Sequence, residues 1–326
     1  MSLTTQEKEQ FENEGYVVKR GVFQDADLEP FRAAMNEIVE SEAGRLQSEG
    51  KLNETFPIEG FERRLAAIAE VSPEAGTAIY EAIIGKSGGG FSGPAIFDML
   101  VHLPLLSCVE SLLGPEIVAS SVYRLRPKLP GFARTDVPWH QDSGYYMPHC
   151  DHHTIVTCWV PIVDATLENG CLWVQPKSHK GGIFPHHIAN TSGYLIINDE
   201  DLPEVEPIPI EMKAGDVLLL TNITPHCSKG NDSNSVRWSF DLRYQSMDSP
   251  SNVGEMPEDF NAERDPFEMA CYPPEADFVV RSAKHPEREI RDAQTFRDLR
   301  ERYTAAHHIA YPERGWKTLP ETIDAA

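Results

Sequence analysis

Residues 137–146 read VPWHQDSGYY, and the way this short stretch is folded decides the rest of the chain. His140 and Asp142 stand two positions apart in it, between bulky residues that favour extended backbone. On a β-strand, residues i and i+2 point to one face, so the imidazole and the carboxylate can meet at one point in space. A metal ion is the natural occupant of that point. Two ligands do not hold a catalytic metal, so a third is expected from a second extended segment lying beside the first.

Residues 216–240, DVLLLTNITPHCSKGNDSNSVRWSF, supply it. His226 follows an apolar run with strand character, and a Gly-Asn-Asp-Ser-Asn-Ser turn leads into a further strand. Two His and one carboxylate occupy one face of an octahedron and leave three positions open, the arrangement of non-haem Fe(II) oxygenases. His140, Asp142 and His226 are therefore the expected metal ligands and the catalytic centre, with the open positions left for a co-substrate and O2. If that co-substrate is 2-oxoglutarate, its far carboxylate needs a fixed cation, and the fork of an Arg matches it best. Arg237 lies eleven residues after His226, where an antiparallel hairpin would return it to the same mouth. Ser239 would share its face and offer a hydroxyl to the same carboxylate.

Composition narrows the partners. The 326 residues carry 29 Lys plus Arg against 51 Asp plus Glu, a net charge of −22 that repels nucleic acid and anionic membranes. A small-molecule substrate is expected instead, with no nucleic-acid or membrane partner; monomer and homodimer both stay open. No apolar run approaches the ~18 residues of a membrane span, and MSLTTQEKEQ lacks the basic head and apolar middle of a signal peptide. A cytoplasmic location is the expectation. Six cysteines with no CxxC pair fit reduced thiols.

Three regions follow from the patterning, read as one domain over residues 1–326. Residues 1–116 are mostly helical: Thr5 is placed to cap a short helix ending before Gly15, and Leu28, Phe31, Met35, Ile38 and Val39 form a helical stripe. Residues 117–246 hold short runs rich in Val, Ile, Trp and Thr, broken by Pro, Gly, Asn and Asp, which predicts an antiparallel barrel or sandwich. Residues 247–326 are rich in Pro and charge with one helix, DAQTFRDLRERYTAAHH, and are expected to form an extension serving as lid or interface.

The HQD segment, His226 and Arg237 resemble the phytanoyl-CoA dioxygenase family of Fe(II)/2-oxoglutarate oxygenases. The resemblance runs from about Glu7 to Gln245, through FENEGYVVKRGVF, LLGPEI and TCWVPIVDATLENGCLWVQPKSHK, with Lys177 where the family usually has Gly. It implies a mainly β fold with flanking helices around a double-stranded β-helix, the cupin-like jelly roll. It also implies Fe(II) as cofactor, and decarboxylation of 2-oxoglutarate to succinate and CO2 coupled to oxidation of an unactivated C–H bond. By the same resemblance Trp159 would flank 2-oxoglutarate, Tyr123 would line its pocket, and Lys86 falls where some members place a basic residue reaching it. Related halogenases carry Ala or Gly in place of the carboxylate, so Asp142 points to hydroxylation or another oxidation rather than halogenation. The expected substrate is a small or medium-sized metabolite, selected by the loops at 85–94, 129–138 and 145–153 and by parts of the C-terminal extension.

Other features are read more plainly. HCDHH, residues 149–153, suits a loop better than a second metal site. GKSGGG, residues 85–90, lacks the strand and the first Gly of a phosphate loop and reads as a lid. His186, His187, His307 and His308 are expected on the surface, and Arg124, Arg126, Lys128 and Arg134 as solvated charges or an anion receiver. Cys158 lacks a visible His partner, and Cys227 alternates to the strand face opposite His226, so neither is expected to act as a nucleophile. Two further classes share the ligand set: a non-catalytic metal-binding module, and a Zn-dependent hydrolase in which Arg237 has no task.

Overall fold

Apolar residues recur at helical spacing early in the chain and at alternate positions through its middle, and the structure follows that change. It is a computed structural model that describes residues 1–84, 93–120, 123–146, 148–189, 194–251, 253, 276–306, 314 and 316–318. The order is α1 (Thr5–Glu14), β1 (Tyr16–Lys19), α2 (Asp25–Ser48), α3 (Phe61–Val71), α4 (Pro73–Ile84), α5 (Pro94–Leu100), α6 (Leu103–Leu113), β2 (Ile117–Ser120), β3 (Arg124–Leu125) and β4 (Val137–His140). Then come β5 (Ile155–Pro161), β6 (Leu172–Val174), β7 (His187–Ile188), β8 (Leu195–Ile196), β9 (Ile208–Ile210), β10 (Val217–Thr221), β11 (His226–Ser228), β12 (Ser239–Ser246), β13 (Asp277–Arg281), α7 (Ala293–Ala306) and β14 (Lys317–Thr318).

The first helix begins one residue earlier than its sequence suggested. Thr4, not Thr5, is the cap: its hydroxyl accepts from the Glu7 N–H while the Glu7 carboxylate accepts from the Thr4 N–H, two orphan donors satisfied at once. Gly15 ends the helix in the left-handed conformation at φ 83°, and a Cβ there would lie 2.5 Å from His179 and 2.6 Å from Thr224. Glycine is needed on both counts.

A seven-stranded sheet runs β1-β10-β5-β12-β2-β13 with β3 added to β12, and faces a four-stranded sheet ordered β4-β11-β6-β9. Together they make the jelly-roll core. Strand alternation divides the larger sheet cleanly. Val156, Cys158 and Val160 of β5 and Phe240, Leu242 and Tyr244 of β12 join one core cluster with the buried faces of the helices. Trp159 of β5 and Leu218 and Leu220 of β10 point the other way and pack on Leu172 and Val174 of β6. Each fully buried branched side chain contributes on the order of 1.5–3 kcal/mol, and a one-residue slip would exchange the residues packed on the two faces, which fixes the register. The third sheet, β14-β7-β8, is small and lies apart from these two in the pairing.

The sheet does not respect the expected 117–246 boundary. β1, from the helical region, pairs with β10, and β13, from the C-terminal extension, pairs with β2. Both flanks therefore complete the core. Lys177, where the family usually has Gly, adopts φ 67°. A left-handed residue there explains the usual glycine, and a lysine is held in it at a cost of about 1–2 kcal/mol.

Candidate active site

β4 and β11 are antiparallel neighbours, and their register sets His140 directly opposite His226. The ring centroids are 4.2 Å apart. Asp142 lies just past the end of β4, in a 3-10 turn over Asp142–Tyr145, so the pair is not on one strand as its spacing suggested. Gln141 nonetheless keeps extended backbone at φ −115° and ψ 139°, which preserves the i, i+2 relation. One potential ligand atom from each of the three residues lies within 4.8 Å of the other two, and all three residues are buried. Among the described residues no other His, Cys, Asp or Glu cluster has this geometry. The 3-10 turn over Pro148–His152 forms no second metal site among them.

Each imidazole is oriented by a carbonyl two residues before it. His140 Nδ1 lies 2.9 Å from the Pro138 oxygen, and His226 Nδ1 lies 2.9 Å from the Thr224 oxygen. A proton on Nδ1 in each leaves Nε2 free to ligate. Burial and the neighbouring His226 push the His140 imidazole down to about 3, so it is neutral and ready to donate a lone pair. Burial alone would raise the Asp142 carboxyl. Arg243 and the two imidazoles outweigh that and hold it well below the usual carboxylate range. Its oxygens accept from the Thr157 hydroxyl and from Arg243 Nη2, the latter at 3.1 Å.

Arg237 does not return on a hairpin. The chain leaves β11, crosses to the other sheet and forms an isolated bridge with Lys128 just before β12. The guanidinium still enters the cavity shared by His140 and His226. It is 2% exposed, its Nη1 donates to the Ser239 hydroxyl at 2.5 Å, and its Nε has no hydrogen-bond partner among the described residues. Among the described residues no carboxylate pairs with it. Burial and Arg126 push it down to about 9, which leaves it charged at neutral pH. Trp159 lines the same cavity, with the Arg237 guanidinium carbon 5.2 Å from its ring centroid.

Other expectations part from the structure. Tyr123 is fully buried against Phe296 and Arg300 of α7 and is not among the described side chains lining the cavity. Lys86 and the Gly-rich segment around it, with His307 and His308, lie outside the described residues. His186 is buried, not on the surface: its Nε2 accepts the Gln141 N–H at 3.0 Å, and burial pushes it down to about 4. His187, half-buried, is 3.0 Å from Asp201. The Cys227 thiol is pushed up to about 12 by burial, and Cys158 also rises well above its ordinary value. Neither is a nucleophile.

Several side chains escaped the sequence reading. The Gln141 amide donates to the Gly182 and Ile223 carbonyls at 2.8 and 2.7 Å and accepts from the Phe184 N–H at 2.8 Å. The residue between the first two ligands thus grips the segment that leads to the third. Asp241 and Arg243 of β12 share the face of Ser239 and line the cavity; Arg126 and Lys128, which the sequence offered as solvated charges or an anion receiver, line it too. Alternation along residues 237, 239, 241 and 243 was the available signal. Arg124 and Arg134 face elsewhere: Arg124 donates to the Tyr123 carbonyl, and Arg134 pairs with Glu81 at the surface. Trp316 donates to the Gly144 carbonyl and packs its ring, tilted by 41°, against His186, while Arg314 forks onto Asp151 at 2.7 and 3.0 Å.

The family model described as phytanoyl-CoA dioxygenase (PhyH) matches residues 11–239. The chain belongs to the phytanoyl-CoA dioxygenase family. Phytanoyl-CoA dioxygenase domain-containing protein 1 of Danio rerio is 25% identical over 275 residues, 77% of this chain and 92% of that protein. The peroxisomal phytanoyl-CoA dioxygenase of Homo sapiens is 24% identical over 251 residues, 76% of this chain and 69% of that one. Among solved structures, the non-heme monooxygenase ThoJ in its apo form superposes with a TM-score of 0.56 at 19% identity, covering 92% of this chain and 96% of that one. That likeness is one of fold. The phytanoyl-CoA dioxygenase family consists of Fe(II)/2-oxoglutarate oxygenases.

Proposed function

We propose that the protein is an Fe(II)- and 2-oxoglutarate-dependent dioxygenase that hydroxylates an unactivated C–H bond of a small or medium-sized metabolite. The single observation carrying this reading is a pairing within one cavity: a buried two-His, one-carboxylate set beside a buried guanidinium with no anionic partner among the described residues. Both cofactor fits rest on chemistry. Two imidazoles whose Nε2 atoms are free, the His140 ring held neutral by burial, and one carboxylate suit ferrous iron. An Arg held dry without a counter-ion suits a carboxylate, because leaving it unpaired is costly.

When bound, iron and 2-oxoglutarate supply the oxidising chemistry, with succinate and CO2 as co-products. The protein's own residues do the rest. His140, Asp142 and His226 would hold the metal from one side. Thr157 and Arg243 keep the carboxylate ionised and aimed. Arg237 and Ser239 would take the far carboxylate of the keto acid, and Trp159 walls it from water. A Zn-dependent hydrolase would leave Arg237 without a task. The net charge of −22 supports a free metabolite over nucleic acid or a membrane as the partner, and a cytoplasmic setting goes with the same reading.

The test is an anaerobic reconstitution with Fe(II) and 2-oxoglutarate followed by oxygen. Succinate formation that requires all three is the expected result, with a substrate gaining one oxygen atom. Metal binding with no succinate under any condition sinks the proposal.

A further inference from the structure

We propose that the prime substrate carries one anionic group, a carboxylate or a phosphonate monoanion, and that Arg126 at the cavity wall receives it. This rests on the Fe(II)/2-oxoglutarate reading and follows from charge.

Charged side chains alternate in sign through the cavity. Arg126 Nε lies 3.1 Å from Asp241 Oδ1, Arg243 Nη1 lies 2.8 Å from Asp241 Oδ2, and Arg243 Nη2 lies 3.1 Å from Asp142 Oδ1. Two guanidiniums and two carboxylates cancel. Lys128 and Asp136, 2.8 Å apart, cancel as well. Arg237 is matched by the far carboxylate of 2-oxoglutarate. The near carboxylate offsets one of the two charges of Fe(II), and the other has no counterpart among the described residues. A positive charge left over in a largely buried cavity is unfavourable, even though the whole protein carries −22. A substrate bringing one negative charge removes it.

The geometry then chooses among the cations. Arg243 is committed to two carboxylates, and Arg237, 2% exposed over the Trp159 ring, is assigned to 2-oxoglutarate. Lys128 is 1% exposed and spends its ammonium on Asp136 and the Thr135 carbonyl. Arg126 differs. Its side chain keeps 27% of its exposure, and among the described residues its guanidinium makes no hydrogen bond beyond the one from Nε. The Nη donors are left for a ligand, in the fork that suits a carboxylate or phosphonate. Tyr80, Pro127 and Tyr194 line the same cavity and offer aromatic and apolar surface to the body of the substrate.

The test uses the full chain loaded anaerobically with Fe(II) and 2-oxoglutarate, and matched probes: hexanoate, hexylphosphonate and the uncharged hexanamide. Binding is read by protection against thermal unfolding, and turnover by stimulated succinate formation. At least one acid should bind about tenfold or more tighter than the amide, and comparison of the two acids identifies the anion. Arg126→Gln should lose about that factor for the acid and Arg126→Lys recover part of it, with 2-oxoglutarate affinity within about twofold of wild type. The proposal is overturned if the amide matches the acids, if none of the three probes binds, or if Arg126→Gln weakens 2-oxoglutarate as much as the acid. Wild-type protein that consumes 2-oxoglutarate without an anion preference defeats this inference alone. Protein that never consumes it defeats the proposed function.

Discussion

Thr157 and Arg243 are registered partners across the β5–β12 pair, and both reach the carboxylate of Asp142. The larger sheet thus orients a ligand that arrives from the smaller one. Replacing Thr157 with Val keeps shape and removes the hydroxyl. Partners of this kind are worth about 10–100-fold in metal affinity. An anaerobic Fe(II) or Co(II) titration of Thr157→Val should show a loss in that range with the fold intact; an unchanged affinity would mean that Thr157 does not orient Asp142.

His226→Ala and Asp142→Ala should each abolish tight Fe(II) binding while the thermal unfolding transition stays cooperative. The cross-strand pairing of His140 and His226 uses backbone groups, so the strands survive loss of the ring. Metal content after anaerobic loading and gel filtration checks this.

Arg237→Ala should raise the KM for 2-oxoglutarate by about 30-fold or more and leave Fe(II) binding within about twofold. Truncating one partner of a buried charge pair costs about 2–5 kcal/mol, and 2 kcal/mol is about a factor of 30. Arg237→Lys should restore only part of it, because the ammonium lacks the fork. An unchanged KM would remove the assignment.

Arg314 is 168 positions from Tyr146, whose carbonyl it caps at 2.5 Å, and it also pairs with Asp151. Arg314→Ala should speed hydrogen exchange across residues 142–152 and lower stability by about 1–3 kcal/mol, the cost of leaving buried acceptors unpaired. Exchange mass spectrometry locates the effect; uniform exchange across the chain would contradict it.

Acid should weaken the join between β2 and β13. The Ser282 hydroxyl at 2.6 Å and the Ala283 and Lys284 N–H groups hold the Glu116 carboxyl below its ordinary value. A carboxyl depressed in the folded state stabilises above its unfolded pKa and loses that contribution as pH falls through its folded one. Glu116→Gln should therefore unfold at lower temperature than wild type at pH 7, and the gap should close below the carboxylate range. Melting curves from pH 7 down to acid check the convergence.

Much of this was legible in the chain. The candidate metal cluster was readable because His140, Asp142 and His226 sit in or beside strongly patterned strands. Arg237 reaches the cavity by a route other than the expected hairpin, since offset alone cannot distinguish a hairpin from a crossing between sheets. Thr157 and Arg243 are ordinary strand residues until register is known, and register is a long-range property. His186 looked like a surface residue because nothing local predicts that Trp316 and the Gln141 N–H will enclose it. β13 was hidden because a five-residue strand after a Pro- and charge-rich stretch has too little alternation to stand out.

The two histidine ligands belong to one wall of the sandwich, whereas Arg237 and Trp159 belong to the other. With Arg237 taking the far carboxylate as proposed, the spacing of those walls would work as callipers on the length of the keto acid, set by the hydrophobic packing between them and not by any loop. Loop exchange at the mouth should redirect the enzyme to new metabolites while its appetite for a five-carbon diacid stays as it was. Repacking Leu172 or Leu218 should do the reverse.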